Sequence, residues 1–582
     1  MKKQTRNAII CLWLAALLMA ACVPTSKDQI KSLSAKVAEA LPAEWPEGIV
    51  QESIVRQQPD PEQMAQDQVL KVGVSRLAGL DPVVNYSTSS MLQEVLYIGL
   101  TRQYPDTLAF LPAVAEKWEV SEDQLTWTFT LRTKIAWVAY NAKTQKVEKV
   151  LDKDGKEIYV TAEDVRANLM RVLNRTGSAF LRELLLNIKG VEAYSAKSPE
   201  ESLGVKAVDE KTLEITLEKP IPALDAIAEL AFFSPYPGRI YDLRRAKGLM
   251  NNDVAFFGFG PFVVKSFTEN KSAVVVRNPF WQASDAVPTP LLEEIRFLVV
   301  ASKDKLTSFN KGTIDIVQLT QSEYSTHEAS LKTQDTLQFV DGICPVFIAF
   351  KHLEIKPFSD ADNRKALAYS INRTEIVNDL YKKAASELGY FSLPGIRAGN
   401  DFGIFSAISF DTSKAKGLLK SDMWSEKSTD APTFYISPFE PLKSIGWIIL
   451  EDAKAALNRT LKANYPTSSN YTATINATKL PSIYISSVCL RYGDMEDIWD
   501  QLFWDNELTS QSVRDFHQQV LENPSPDDRA AVYLQVNDAL IDKTAVIIPL
   551  VNPMQIWLVS RDVRGDLLPR YQQFETWWIA KE

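Results

Sequence analysis

The side chains that could do chemistry are few, and their spacing does not suit catalysis. No two histidines have the His-x-x-x-His spacing of a zinc site, and neither a Gly-x-Ser-x-Gly motif nor a Gly-x-x-x-x-Gly-Lys-Ser/Thr phosphate loop occurs. One acidic cluster could contain an acid/base pair for glycoside cleavage, although a solvated loop is the simpler interpretation: Asp494, Glu496, Asp497 and Asp500. We therefore expect no catalytic residue, metal site or cofactor, which argues against a surface-anchored hydrolase.

The most specific short signal is at the N-terminus. A positively charged start precedes an apolar run, residues 8–21, that suits a signal-peptide core and is too short to span a membrane. The run ends at Cys22 in a Leu-Met-Ala-Ala-Cys segment that resembles the lipobox of bacterial lipoproteins, with Met19 where leucine is usual. In lipoproteins this cysteine carries a diacylglycerol and becomes the mature N-terminus. The alternative is a plain secretory signal cut near Ala21.

Length and charge limit the remaining possibilities. The chain has 582 residues, enough for several domains, and 46% of them are hydrophobic, as in ordinary globular proteins. The net charge is −9, and removing the three basic residues of the signal peptide gives −9 − 3 = −12. Because phosphate binding normally needs a basic face, this balance argues against a non-specific nucleic-acid binder.

The pattern of the chain predicts an α/β protein with mixed sheets. Residues 1–21 are the predicted signal peptide, and the proline-containing stretch 22–66 is a predicted tether. In the body, residues 70–74 and 125–131 alternate between apolar and polar residues like half-buried strands, and residues 161–173 have the pattern of a helix.

Several blocks of the body resemble one family in the same order. They are Leu80-Asp81-Pro82, residues 111–123, 129–132, 160–165, 203–217, Gly260-Pro261-Phe262, residues 277–281, 311–317, 358–373, 547–550 and 563–565. These blocks resemble the solute-binding proteins of bacterial ABC importers, family 5, and the oligopeptide-binding lipoproteins in particular. One departure is an insertion of roughly twenty residues after Trp137, around a predicted Asp154-Gly155 hairpin turn.

The resemblance implies a two-lobed fold of the periplasmic-binding-protein type II class, with a ligand cleft between the lobes. Lobe I would take residues 67–285 and 545–582, and lobe II residues 286–544. Such a protein would be a lipid-anchored monomer facing the periplasm or cell exterior, and would deliver a peptide or related solute to a permease and its ATPase. A sensing lipoprotein and an oligosaccharide receptor of the same fold are the alternatives.

The resemblance also suggests ligand-binding residues. Oligopeptide binders hold the ligand's amino terminus with an aspartate in a Trp-Cys-Ala-Asp-Tyr segment, and here Arg491 takes the place of that aspartate. Arg491 would either hold an anionic group of the ligand or be neutralised by Asp494, and a shifted loop could let Asp494 supply the missing charge. The other matched cleft positions are Tyr86, Ser87, Phe180, Phe259, Gly342, Val488 and Cys489, with Gly342 where a tyrosine would narrow the pocket.

The same matching implies a disulfide. Once the signal peptide and the lipidated Cys22 are set aside, Cys344 and Cys489 are the remaining cysteines of an exported chain. Both match the paired cysteines of the oligopeptide-binding proteins. Two unrelated buried thiols are the alternative.

Replacing Cys22 tests the predicted anchor. Cys22→Ser removes the thiol that would carry the lipid, so the variant should not incorporate labelled fatty acid and should leave the membrane fraction. Cys11→Ser, in the predicted signal core, is the control and should behave like wild type. Unchanged labelling and fractionation of Cys22→Ser would rule out the lipoprotein assignment.

Overall fold

The structure is a computed structural model, and it describes most of the chain from residue 59 onward. The described residues are 59–85, 90–103, 109–174, 179–195, 199–221, 223–230, 233–240, 256–332, 336–352, 356–393, 396–398, 408–420, 432–477, 482–504, 526–565 and 574–581. The predicted signal peptide, Cys22 and the predicted tether up to residue 58 lie outside them. The described helices include none long and apolar enough to cross a membrane.

The first lobe is built on a seven-stranded mixed sheet, called here the large sheet. Its strands, in spatial order, are Phe262–Thr268, Ser272–Arg277, Glu294–Val299, Val69–Val74, Ile316–Leu319, Gln555–Val559 and Leu337–Val340. The predicted strand at 70–74 is confirmed, and it pairs in parallel with a neighbour on each side. Its Leu70 and Val72 are fully buried, as expected for a central parallel strand.

A second core in the first lobe surrounds a four-stranded antiparallel sheet, called here the small sheet. Its strands run, in order, Ala115–Val120, Thr126–Leu131, Thr212–Thr216 and Val205–Ala207. The alternation predicted at 125–131 is confirmed, since Trp127, Phe129 and Leu131 are the buried side chains of that strand. Helix Ala162–Asn174 packs on this sheet, where the helical pattern predicted it.

The remaining elements of the first lobe are short. Its other helices are Pro61–Gln63, Pro82–Asn85, Ser90–Leu96, Ala179–Glu183, Glu200–Ser202, Leu224–Ile227, Ser302–Asp304, Lys305–Asn310, Gln321–Leu331 and Phe574–Thr576. Its other strands are Thr101–Gln103, Phe110–Pro112, Val138–Asn141, Lys146–Lys149, Phe257–Gly258, Val563–Arg564 and Trp578–Ile579. The segment inserted after Trp137 forms a hairpin, Val138–Asn141 with Lys146–Lys149, followed by the predicted turn at Gly155, where φ is +79°.

The second lobe has a six-stranded mixed sheet covered by helices. Its strand order is Ala385–Glu387, Ile547–Pro553, Val346–Lys351, Ser482–Ser487, Thr433–Tyr435 and Lys462–Asn464. Its helices are Ala361–Ser370, Arg373–Glu375, Ile376–Leu380, Thr412–Leu418, Leu442–Leu457, Tyr471–Ala477, Glu496–Trp504, Pro526–Asn537 and Asp538–Lys543. One hydrophobic core joins most of these helices to the sheet.

The lobe boundaries differ from the predicted ones, 286 and 545. Residues 294–340 supply three strands of the large sheet and therefore belong to lobe I. Strand Ile547–Pro553 pairs with Val346–Lys351 and therefore belongs to lobe II. Lobe II thus spans about 341–553, and the chain crosses between the lobes after Val340 and again around Met554.

Gly342 lies where these two crossing segments touch. A Cβ atom at this position would be 1.7 Å from the carbonyl oxygen of Pro553, so a side chain could not fit without moving the backbone. The Asn552 side-chain amide donates a hydrogen bond to the Gly342 carbonyl at 3.0 Å. The expectation that Gly342 enlarges a ligand pocket is therefore wrong, because the glycine allows the close approach of two backbones at the lobe junction.

Candidate functional site

The loop after strand Ser482–Ser487 carries four of the nine predicted ligand-binding residues. Val488 is half-buried against the core of lobe II, and Cys489 forms a disulfide with Cys344, the pair that the resemblance implied. The backbone N–H of Leu490 donates to the Ile343 carbonyl at 2.9 Å. The start of the loop is thereby attached to the first crossing segment.

Arg491 contacts carboxylates from both lobes. Its Nε donates to Asp497 at 2.6 Å, its Nη2 lies 3.5 Å from Asp500, and its Nη1 lies 3.4 Å from Glu183 of lobe I. Its side chain is only 5% exposed. Burial raises the pKa of Asp497 to about 6, although Arg491 opposes this shift. Arg491 is thus neutralised, as one alternative proposed, but its partners are Asp497, Asp500 and Glu183 rather than Asp494.

Asp494 is fully buried between two arginines. Its carboxylate accepts hydrogen bonds from Arg529 at 2.7 and 3.0 Å and from Arg397 at 2.7 Å. Burial alone would raise the pKa of Asp494, but Arg529 and Arg397 hold it below its usual value. With both oxygens paired and no exposed surface, Asp494 cannot supply a charge to a ligand, which corrects that expectation.

Arg397 joins the two lobes. Besides Asp494, its guanidinium donates two hydrogen bonds, at 2.6 and 2.7 Å, to Asp225 in lobe I, and it lies 4.6 Å from the centre of the Phe110 ring. A paired contact of this kind fixes direction as well as distance. Arg397 therefore connects a lobe I helix, Leu224–Ile227, to the loop of lobe II.

Two neighbours of Arg491 also contact lobe I. Tyr492 is buried within the core around the small sheet, and the Gly493 carbonyl accepts a hydrogen bond from the Gln103 side chain at 3.3 Å. A Cβ atom at Gly493 would lie 2.8 Å from the Gln103 side chain, so a larger residue would push this contact apart. The loop 491–494 is therefore an interlobe contact.

Glu496 is a buried carboxyl group beside this network. Its Oε2 atom has no hydrogen-bond partner within the described part of the chain. Burial, reinforced by the charge of Asp494, raises the pKa of Glu496 to about 8. At neutral pH this side chain is therefore mostly protonated, and it adds no full negative charge to the network.

Of the four cleft residues predicted in lobe I, the structure describes the side chain of only one, Phe259. Phe259 is buried, and its ring meets that of Trp137 edge to face at 5.3 Å in the wall of a lobe I cavity. Phe180 belongs to helix Ala179–Glu183, but its side chain lies outside the described part. Tyr86 and Ser87 also lie outside the described residues.

The sequence did not indicate the charged partners in lobe I or the two arginines around Asp494. Asp225 and Arg397 are 172 positions apart, and Asp494 and Arg529 are 35 apart. No local motif marks such pairs, because the fold alone brings them together.

Within the described residues, no group of three or more potential metal ligands occurs.

Comparison with known proteins agrees with this architecture. The family model described as bacterial extracellular solute-binding proteins, family 5 Middle, matches residues 109–507. The unliganded open form of the periplasmic murein tripeptide-binding protein MppA is 20% identical, covers 90% of this chain and 99% of its own, and superposes with a TM-score of 0.72. At this identity the structural match establishes the fold alone.

Curated relatives share only part of their length with this chain. The dipeptide-binding protein DppE of Bacillus subtilis is 28% identical over 332 residues, which is 56% of either chain. The oligopeptide-binding protein OppA of the same organism is 25% identical over 362 residues, 61% of this chain and 62% of its own.

The fold and the interlobe site define the class of protein. Two α/β lobes, connected by two crossing segments and facing each other across a charged loop, are the architecture of a solute-binding protein. More particularly, the family match covers well over half of the chain, so the chain belongs to the bacterial extracellular solute-binding proteins of family 5.

Glu496 should make stability depend on pH. The folded state keeps the Glu496 proton up to a pH of about 8, whereas an unfolded glutamate loses it near pH 4.5. The folded state therefore binds more protons between these values, and its stability falls as the pH rises through them. Each pKa unit corresponds to about 1.36 kcal/mol. The glutamine side chain of the Glu496→Gln variant does not titrate, so its free energy of unfolding should rise by a few kcal/mol relative to wild type as the pH increases from about 5 to about 9.

Melting temperatures measured at intervals from pH 5 to pH 9 test this expectation. The control is Glu451→Gln, which alters an exposed glutamate on helix Leu442–Leu457 and should follow wild type. If the melting temperatures of Glu496→Gln and wild type differ by the same amount at every pH in this range, Glu496 is not a buried, protonated group.

Proposed function

We propose that this protein is the substrate-binding component of an ABC importer. It captures a peptide or related small solute between its lobes and passes it to a permease that works with an ATPase. The observation that carries this proposal is the family 5 match over residues 109–507, combined with a charged loop of lobe II that contacts lobe I through Arg491 and Glu183. The names of the relatives DppE and OppA favour a peptide ligand.

Binding proceeds by lobe closure. Two crossing segments connect the lobes, and their contact at Gly342 and Pro553 is a point about which the lobes rotate. A ligand that touches both lobes stabilises the closed arrangement and shifts the population toward it. This role requires binding groups and no catalytic group, which fits a family named for solute binding rather than for a reaction.

The protein acts at the cell envelope. Cys22 carries a lipid that holds the body to the membrane, and the body faces the periplasm or the cell exterior. It works as a monomer. The lipobox-like sequence at Cys22 and the disulfide between Cys344 and Cys489 support export.

The surroundings of Arg491 limit the ligand end that can bind beside it. One guanidinium faces Asp497, Asp500 and Glu183, so the group has an excess of negative charge. A ligand carboxylate would be repelled there, and a neutral or cationic group is preferred. Asp500 and Glu183 are 46% and 41% exposed, so they can reach a ligand ammonium group while Asp497 retains Arg491.

Peptide titrations test both the function and this preference. Arg491→Ala leaves the acidic partners of Arg491 uncompensated. The ratio of the variant's affinities for free and N-acetylated peptides should therefore rise at least about tenfold, or about 1.4 kcal/mol. Glu183→Gln keeps the Arg491–Asp497 pair and should lower the preference for a free amine. Isothermal titration of wild type and variants with free, N-acetylated and C-amidated peptides measures these ratios.

Glu192→Gln is the matched control, since Glu192 is an exposed glutamate of lobe I outside this contact. If Arg491→Ala instead loses affinity only for peptides with a free carboxylate, Arg491 holds an anionic group. If no peptide binds the wild-type protein, the peptide ligand of the proposed function is wrong.

A further inference from the structure

Lobe I contains a cavity of 310 Å³ between the cores of its two sheets. Phe256 and Tyr97 pack with the core of the large sheet, whereas Trp137 and Phe259 pack with the core of the small sheet. Ligand pockets are common at such boundaries, where two rigid bodies leave space between them.

Aromatic residues are six of the sixteen that line this cavity. Six rings line it: those of Tyr97, Trp137, Tyr236, Phe256, Phe257 and Phe259. Trp137 and Phe259 already meet edge to face at 5.3 Å, the geometry that aromatic rings prefer. A further ring entering the cavity would find the same kind of contacts on several sides.

The charged groups of the cavity neutralise each other. Arg171 is ion-paired with Asp81, donates to the Asn168 side chain at 2.9 Å, and lies 3.8 Å from the centre of the Tyr236 ring. A free ion would have to compete with these partners. The cavity therefore suits an uncharged group, and its polar side can accommodate at most a few hydrogen bonds.

We propose that this cavity binds one planar aromatic group of the transported solute, such as the side chain of an aromatic residue. The volume is near the lower limit of small-molecule pockets, which fits a single ring system rather than a whole peptide. This inference rests on the proposed function, because it assigns a ligand preference to the same binding protein.

Gly258 offers a way to fill the cavity. It is one of the lining residues, and a Cβ atom there would have only ordinary contacts, at 3.8 Å from the Phe262 carbonyl and from Val263. Gly258→Leu should therefore fold and occupy part of the cavity. The control is Gly417→Leu on helix Thr412–Leu418 of lobe II, where a Cβ atom would meet nothing within 4 Å.

The first measurement is a titration of the full chain, purified in detergent, with 5-fluoroindole as the probe. Binding of the probe is observed by ¹⁹F NMR. Saturable binding to wild type and Gly417→Leu, weakened at least tenfold in Gly258→Leu, is the expected result. Absence of saturable binding, or equal binding to all three proteins, would overturn the inference.

The second measurement separates this inference from the proposed function. Peptides that differ only by phenylalanine or alanine at one position are titrated into the same proteins. Wild type should prefer the phenylalanine peptide, and Gly258→Leu should lose that preference while still binding the alanine peptide. Peptide binding without any aromatic preference would refute the cavity assignment and leave the function standing, whereas no peptide binding would refute the peptide ligand on which both rest.

Discussion

The arrangement of the site depends on one buried carboxylate, that of Asp494. A fully buried charge is tolerated only when it is paired and hydrogen-bonded, and Asp494 has Arg529 on one side and Arg397 on the other. Arg397 then has a guanidinium edge available for Asp225 in lobe I. The charge that holds the loop 491–494 in lobe II thus also directs that loop against lobe I.

This connection lies beside two further features of the interlobe site. The disulfide at Cys489 attaches the loop to the first crossing segment, near Gly342 and its contact with Pro553. Arg491, held by Asp497, adds a contact to Glu183. The loop therefore lies between lobe I and the segments that cross between the lobes, and three carboxylates surround its Arg491.

The sequence predicted individual strands better than it predicted which sheet each strand joins or which side chains pair across the fold. Alternation identified strands Val69–Val74 and Thr126–Leu131 because burial on one or two faces leaves a local pattern. It could not assign residues 294–340 to lobe I, because a strand pattern does not say which sheet the strand joins. Resemblance identified Arg491 as an exception to the family pattern, but its acidic partners Glu183 and Asp497 became visible only in the fold.

The central claim is that ligand binding draws the two lobes together about the crossing segments. Small-angle X-ray scattering of the protein with and without a saturating peptide, chosen by titration, tests it most directly. The account predicts a smaller radius of gyration in the peptide complex, with the scattering at zero angle still that of a monomer. An unchanged radius of gyration while peptide is bound would contradict it.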